Sequence, residues 1–330
     1  MRLIFFSFKH RYREMELNNF LNTRICGKYF ILNLGGPFKH FIAKILLFFR
    51  IGKAISCDGR PLIADKSRGI NFWMRGTTLH IPKDLKKLNN NFVTIDNPFV
   101  EDKKIFQIYP ISIKQTQIRK NCKIIYISKI IIEANAEEKS IWEKYKVQMM
   151  ENFSLIDSKI FWEKIYIKEN NELKKYLLYR KFKLLLRFEI IKNIKVMFDK
   201  NLHLIGDDWN LFSINSSPSN YNVKQIKKLY EGNICLDLGS MLGSVSLYSR
   251  SNQIIESGGL IIQSYQSDAN KIWGDLKDKI LFKNLSDLTS LINKLLADKG
   301  YCSFLLKKIS NNFRNSKKSL EKNLDKIFEQ

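Results

Sequence analysis

Between residues 201 and 265 one pattern repeats: an apolar run of strand length, a polar turn, then a short segment of helical spacing. The apolar runs are 202–205, 234–238 and 260–262. This alternation constrains the chain more than any other feature, because it is how a parallel sheet with crossover helices is written in sequence. In such sheets ligands bind beyond the carboxyl ends of the strands, where loops meet helix N-termini. The loop in that position is Gly239-Ser240-Met241-Leu242-Gly243-Ser244. Gly239 and Gly243 permit close backbone approach, and Ser240 and Ser244 offer hydroxyl donors for phosphate oxygens. Arg250, Gln253 and Glu256 follow at intervals of three and fall on one helix face. That helix is expected to stop at Gly258-Gly259, a left-handed cap leading into the next strand. A helix start presents N–H groups and a positive dipole end to a diphosphate. Arg250 would pair with phosphate oxygens there, and Gln253, one turn later, with ribose hydroxyls. The plain alternative is a capped helix with an exposed polar face.

Charge is the second constraint. Lys and Arg number 56 against 32 Asp and Glu, a formal surplus of +24. Such a surplus attracts polyanions: nucleic acid, anionic lipid headgroups or phosphorylated substrates. It is equally what a chain rich in Lys, Ile and Asn carries as solvated surface. The five cysteines (Cys26, Cys57, Cys122, Cys235, Cys302) form no CxxC and no Cys/His cluster. One is left over from any pairing, so a disulfide framework is not expected, a reducing cytoplasm is, and no metal site is read.

Residues 3–6 are apolar but are followed at once by Lys9 and His10, too short and too basic for a cleaved signal, and read as a first buried strand. Residues 38–50 are apolar for about a dozen positions, short of the ~18–20 that a spanning helix needs. Two readings stand for them: a buried or half-buried helix, or an interfacial helix with Lys39, Lys44, Arg50 and Lys53 at headgroup level. From 52 to 117 brief strands alternate with irregular polar turns. At 121 the register changes, 122–128 reads as a fresh buried strand, and 137–198 has helical spacing throughout. The boundaries expected are an amino-terminal α/β domain over 1–120, a second domain over 121–300, and a helical tail over 301–330. In the second domain Ser286 is expected to cap a helix that Gly300 ends.

Candidates for chemistry outside the loop are few. His80 ends the run Thr77-Thr78-Leu79-His80 and could project from a strand end as a general base. His203 lies inside a strand and reads as structural. Asp207-Asp208 suits a helix cap or a metal-phosphate contact. The phosphate-binding GxxxxGK[ST], the dinucleotide GxGxxG and the GxSxG nucleophile elbow are all absent from the sequence.

Taken as an ordered set, the segments KIIYIS, LHLIGDDW, YEGNICLDL, Arg250-(x2)-Gln253-(x4)-Gly258-Gly259 and FKNLSDL resemble the carboxyl-terminal domain of GT-B glycosyltransferases, most nearly the CgeB-like, group-1-type branch. The resemblance implies a GT-B-like α/β fold of two Rossmann-like domains facing across a cleft, with a tail that crosses back. It implies metal-independent transfer from a nucleotide-sugar co-substrate, without a further cofactor, to a glycan or lipid-linked acceptor. The location implied is the cytoplasm, at the inner face of the membrane, where an anionic surface is a partner. Gly239, Ser240, Gly243, Ser244, Arg250, Gln253 and Glu256 would hold the donor, and His80 is the candidate catalytic residue. The sequence departs from the family where an acidic residue should hold the ribose: Gln253 stands there, with Glu256 one turn on. Two alternatives therefore stay open. One is a non-catalytic GT-B-like protein that binds glycans or a partner. The other is a basic nucleic-acid-binding protein, against which no nucleic-acid module is recognisable.

Overall fold

The amino-terminal apolar runs pair in parallel. β1 (Arg2–Phe8) and β2 (Tyr29–Asn33) are followed by α1 (Pro37–Phe48), β3 (Lys53–Cys57), β4 (Gly69–Trp73), β5 (Asn91–Val93) and β6 (Lys104–Ile105). Pro37 opens α1, the one helical position where its missing N–H costs nothing. The sheet order is β2-β1-β3-β4-β5-β6, and every registered pairing is parallel. The computed structural model describes residues 2–8, 29–33, 37–49, 51–57, 69–73, 91–93, 104–105, 109–110, 113–165, 172–219, 222–241 and 243–315. The chain divides into two compact units, Met1–Ile111 with Asn315–Gln330, and Ser112–Arg314.

The second unit begins with β7 (Ile124–Ile127), α2 (Ala136–Glu151), α3 (Lys159–Ile165) and α4 (Glu172–Phe198). β8 (Leu202–Ile205), α5 (Val223–Tyr230), β9 (Ile234–Asp237), α6 (Ser249–Glu256) and β10 (Leu260–Ser264) follow. The unit closes with α7 (Ala269–Trp273), α8 (Lys277–Ile280), β11 (Leu281–Phe282), α9 (Leu285–Ala297) and α10 (Lys299–Asn312). Its five strands lie in the order β11-β10-β9-β7-β8, all parallel. Counted within the unit this is 2-1-3-4-5, a doubly wound α/β arrangement in which the order reverses between β7 and β9. β7, β9 and β10 are buried at every residue. That is what a parallel sheet covered on both faces requires, and why their sequences are unbroken apolar runs.

Helical spacing over 137–198 does not give one helix. Asn152 ends α2, and its side chain accepts the Ser154 N–H at 3.1 Å, starting a 3-10 turn over Phe153–Asp157. A polar side chain that competes for backbone donors breaks a helix that apolar periodicity alone would continue. The caps of α9 also differ from expectation. Asn284, rather than Ser286, is the N-cap, accepting the Asp287 N–H at 2.8 Å. Asp298, rather than Gly300, ends the helix, and its carboxylate accepts the Tyr301 N–H at 2.8 Å to start α10. Asn, Asp and Ser cap N-termini about equally well, so the local backbone, and not residue type, selects Asn284 over Ser286, while α9 stops at Asp298 because that residue caps the next helix. α10 belongs to the second unit; the rest of the tail, beyond 315, lies outside the described residues.

The segment entering the second unit is fixed along its amino-end edge. The Lys114 N–H donates to Glu256 O at 3.1 Å, the Thr116 hydroxyl to Gly258 O at 2.7 Å, and the Arg119 N–H to Gly232 O at 2.9 Å. Two glycines make this possible. A Cβ at Gly232 would lie 2.5 Å from Gln117 O and one at Gly258 2.4 Å from Thr116 Oγ1, and both glycines have positive φ.

Candidate functional site

The ladder between β7 and β9 is registered at Ile124↔Ile234 and Ile125↔Cys235 and goes no further, although both strands continue for two more residues. The ladder therefore stops short of the carboxyl ends where the sheet order reverses, the place at which sheets of this topology keep a ligand crevice. Three strand-end segments meet there: Ser128 after β7, Gly206 after β8 and the Gly239 loop after β9. Trp209, fully buried, donates its indole N–H to Ser128 O at 2.6 Å and packs against Tyr126 and Phe188. Gly206 is irreplaceable by geometry: a Cβ there would lie 1.9 Å from Ser128 O.

The Gly239 loop is held from behind by two buried cations of α4. Lys183 Nζ donates to Ser240 O at 3.1 Å and to Gly243 O at 2.9 Å, and pairs with Asp157 Oδ1 at 2.8 Å. Arg187 Nη2 donates to Gly239 O at 2.5 Å. Lys183 and Arg187 are 5% and 3% exposed, so these contacts form away from bulk water. Among the described residues no peptide bond is cis. In a trans peptide the N–H after a carbonyl points the opposite way, so the Met241 and Ser244 N–H groups are turned away from α4. The hydroxyl of Ser244 faces inward, accepting the Ser267 N–H at 3.1 Å, and Ser240 is buried. The loop thus offers backbone rather than hydroxyls.

Beneath the loop lies Asp237, with no exposed surface. Oδ1 accepts the Gly239 N–H at 3.0 Å and the Tyr248 hydroxyl; Oδ2 accepts Gln263 Nε2–H at 2.8 Å. Gln263 is oriented in turn by Trp273, whose indole N–H donates to its Oε1 at 3.2 Å. Burial first, and the neighbouring Asp237 charge second, push the Tyr248 hydroxyl well above its ordinary pKa, so it stays a donor. Burial likewise keeps Cys235 a thiol.

Arg250 takes a place that sequence reasoning did not foresee. Its Nη1 is enclosed, with no hydrogen-bond partner within the protein. Burial would lower its pKa, but Tyr248, Tyr230, Tyr126 and Asp237 together more than offset that and raise it. Tyr126 Oη, Arg187 Nε and Gln266 Oε1 are likewise enclosed without a hydrogen-bond partner within the protein. Gln266 sits against Gly239, where a Cβ would meet its Nε2 at 2.7 Å.

Of the residues named from sequence, the structure brings Gly239, Ser240, Gly243, Ser244 and Arg250 to this crevice. Gln253 is half-buried one turn into α6. Glu256 ends α6, at the amino end of β10, where its carbonyl accepts the Lys114 N–H. Glu256 is not gathered with the loop. His80 and Leu242 lie outside the described residues. Asp207 caps no helix: its carboxylate accepts the Ser219 N–H and hydroxyl, which hold its pKa below the usual range, and Asp208 precedes the 3-10 turn Trp209–Phe212 without a side-chain cap bond. His203 is a strand residue whose pKa burial, and then Lys123, lower. No group of three or more His, Cys, Asp or Glu among the described residues could hold a metal ion.

Sequence reasoning missed Lys183, Arg187, Asp237 and Gln263. Lys183 and Arg187 sit four apart on the buried face of α4, among Tyr179, Phe182, Leu186 and Ile190. That placement of two cations in an apolar stripe was the available signal. A groove of about 940 Å³ lined by Gln115, Thr116, Arg119, Gln225, Lys228 and Glu231 lies at the opposite, amino end of the sheet and shares no residue with the crevice.

No protein-family description matches the chain, and no curated protein matches it in sequence. Among solved structures, the crystal structure of TarM, a glycosyltransferase, is similar over 92% of this chain and 55% of its own, at 12% identity and a TM-score of 0.38. The chain thus spans about half the length of that structure.

Proposed function

We propose that the second unit binds a nucleotide-activated sugar and that the chain is a glycosyltransferase of the GT-B kind, CgeB-like in its donor motifs. The acceptor would be a surface polysaccharide, glycolipid or protein, and the reaction would proceed in the cytoplasm with no cofactor beyond the donor. One observation carries the reading. At the point where the sheet order reverses, the Gly239 loop spends its carbonyls on Lys183 and Arg187 and turns the Met241 and Ser244 N–H groups the other way. Backbone N–H groups presented together at a strand end are a ready receptor for a diphosphate. They would stabilise the negative charge that gathers on the leaving nucleotide as the glycosidic bond breaks. Arg250 would add its field from below, and Gln253 would meet the ribose hydroxyls. His80 is the proposed base for the acceptor hydroxyl.

Thermal denaturation in the presence of UDP, GDP, ADP, dTDP or CMP tests this. At one hundred times its dissociation constant the right nucleotide adds about 2.7 kcal/mol, a rise of roughly 5–10 °C for a unit of this size. Met241 is half-exposed on the loop. Met241→Glu should therefore leave the free protein's melting temperature nearly unchanged and abolish the shift, because a carboxylate would occupy the diphosphate's position. A shift that survives Met241→Glu places the nucleotide elsewhere.

A second reading, a non-catalytic GT-B-like binding protein, is favoured by one observation. Gln253 replaces the expected acid, and Glu256, the nearest substitute, lies at the far end of α6. No shift with any of the five nucleotides is its expected result.

A further inference from the structure

α1 is amphipathic in the reverse sense for a helix that packs on a core. At 100° per residue, Phe38, Phe41, Ile42, Ile45 and Phe48, with the adjoining Phe49, fall within one arc of roughly 120°. All six are exposed, Phe38, Phe41 and Phe48 at 73%, 62% and 76%. Ala43 and Leu47, on the opposite side, are fully buried and seat the helix. The Phe48 and Phe49 rings meet edge to face at 5.4 Å. Single exposed apolar residues need no explanation, but a contiguous stripe of six, four of them phenylalanines, marks an interaction surface.

The charge around the stripe indicates what it meets. From Glu16 to Asp58 the sequence contains no acidic residue, whereas Arg24, Lys28, Lys39, Lys44, Arg50 and Lys53 fall between them. Lys44 is exposed and borders the stripe beside Phe41 and Phe48. Aromatic rings bordered by Lys44, in a stretch of sequence that is basic and has no carboxylate, suit a layer of anionic lipid headgroups. The rings enter the acyl boundary while the amines stay level with the phosphates. α1 has 12 residues, about 18 Å of helix. No described helix is long and apolar enough to cross a membrane, so α1 would lie in the plane of the interface.

We propose that α1 docks the chain on an anionic lipid bilayer through the Phe38–Phe41–Ile45–Phe48 stripe. The inference rests on the first unit alone and is independent of the donor-site reading. It is tested by sedimenting the full chain with vesicles of phosphatidylcholine alone, and with vesicles containing about one-third phosphatidylglycerol. The wild type should pellet with the anionic vesicles. The double variant Phe41→Ser, Phe48→Ser should lose at least about tenfold in partitioning while keeping its melting temperature, since both side chains are exposed. Lys44→Glu should bind the anionic vesicles less than the wild type, by a margin that widens as salt is lowered. Wild-type protein that stays in the supernatant with anionic vesicles overturns the proposal. So does a double variant that binds as well as the wild type, which would make the attraction charge alone. A wild-type dimer by light scattering that the double variant splits, with neither bound to vesicles, would make the stripe a contact between two copies.

Discussion

Asp237→Ala is expected to cost the second unit about 3–5 kcal/mol, the range for removing one member of a buried, charged hydrogen-bond network. The melting temperature should fall by roughly 6–20 °C in a unit of this size. The loss comes from what stays behind. The Gly239 N–H, the Tyr248 hydroxyl and the Gln263 amide would each lose an acceptor, in a place water does not reach. Arg250 would also lose the one carboxylate among the groups that hold its charge. Asp237→Asn separates these causes. Trp273 fixes the Gln263 amide so that Nε2 faces residue 237. An asparagine can therefore accept at one oxygen but must set its own NH2 against a donor at the other. Its melting temperature should fall between those of the wild type and the alanine variant. If Asp237→Ala melts within a degree or two of the wild type, the network described beneath the loop is not the one that holds it.

Lys183→Met should have an effect of similar size, about 3–5 kcal/mol by the same reasoning on a buried pair broken from one side. Here the readout is double. Asp157 keeps the Tyr179 hydroxyl at 2.7 Å but loses its cation, so stability falls. The carbonyls of Ser240 and Gly243 lose their donor, so the loop is no longer held in the orientation that turns its N–H groups outward. Nucleotide affinity should therefore fall even at temperatures where the variant is fully folded. Adding Asp157→Asn removes the uncompensated carboxylate and should recover part of the stability without recovering the affinity. Recovery of both would mean that Lys183 serves the packing of α4 and not the loop.

The parallel sheet of the second unit was legible because its strands are buried on both faces, and so appear as unbroken apolar runs between turn signals. The Gly239 loop was legible for a related reason: a glycine-bearing turn at a strand end has few other uses. Partners distant in sequence were not legible. Lys183 and Arg187 look like any cations interleaved on a helix until the fold sets α4 behind the loop. Arg250 reads as a residue for phosphate until Tyr126 and Tyr230, from two other places in the chain, join the neighbouring Tyr248 around it. α1 shows the same limit from the other side. Its sequence suits a buried, a half-buried or an interfacial helix, and the exposure of its phenylalanines beside buried Ala43 and Leu47 rules out the fully buried one. The caps of α9 were misplaced by two residues because Asn284 and Asp298 compete with Ser286 and Gly300 at short range, and backbone geometry decides between them.

The measurement that tests the central claim most directly is a crystal structure of the chain bound to the nucleoside diphosphate that raises its melting temperature most. The account predicts the diphosphate beyond the carboxyl ends of β7 and β9, with phosphate oxygens about 3 Å from the Met241 and Ser244 backbone nitrogens. A nucleotide seated instead in the groove of Gln115, Thr116 and Arg119, at the amino end of the sheet, would contradict it.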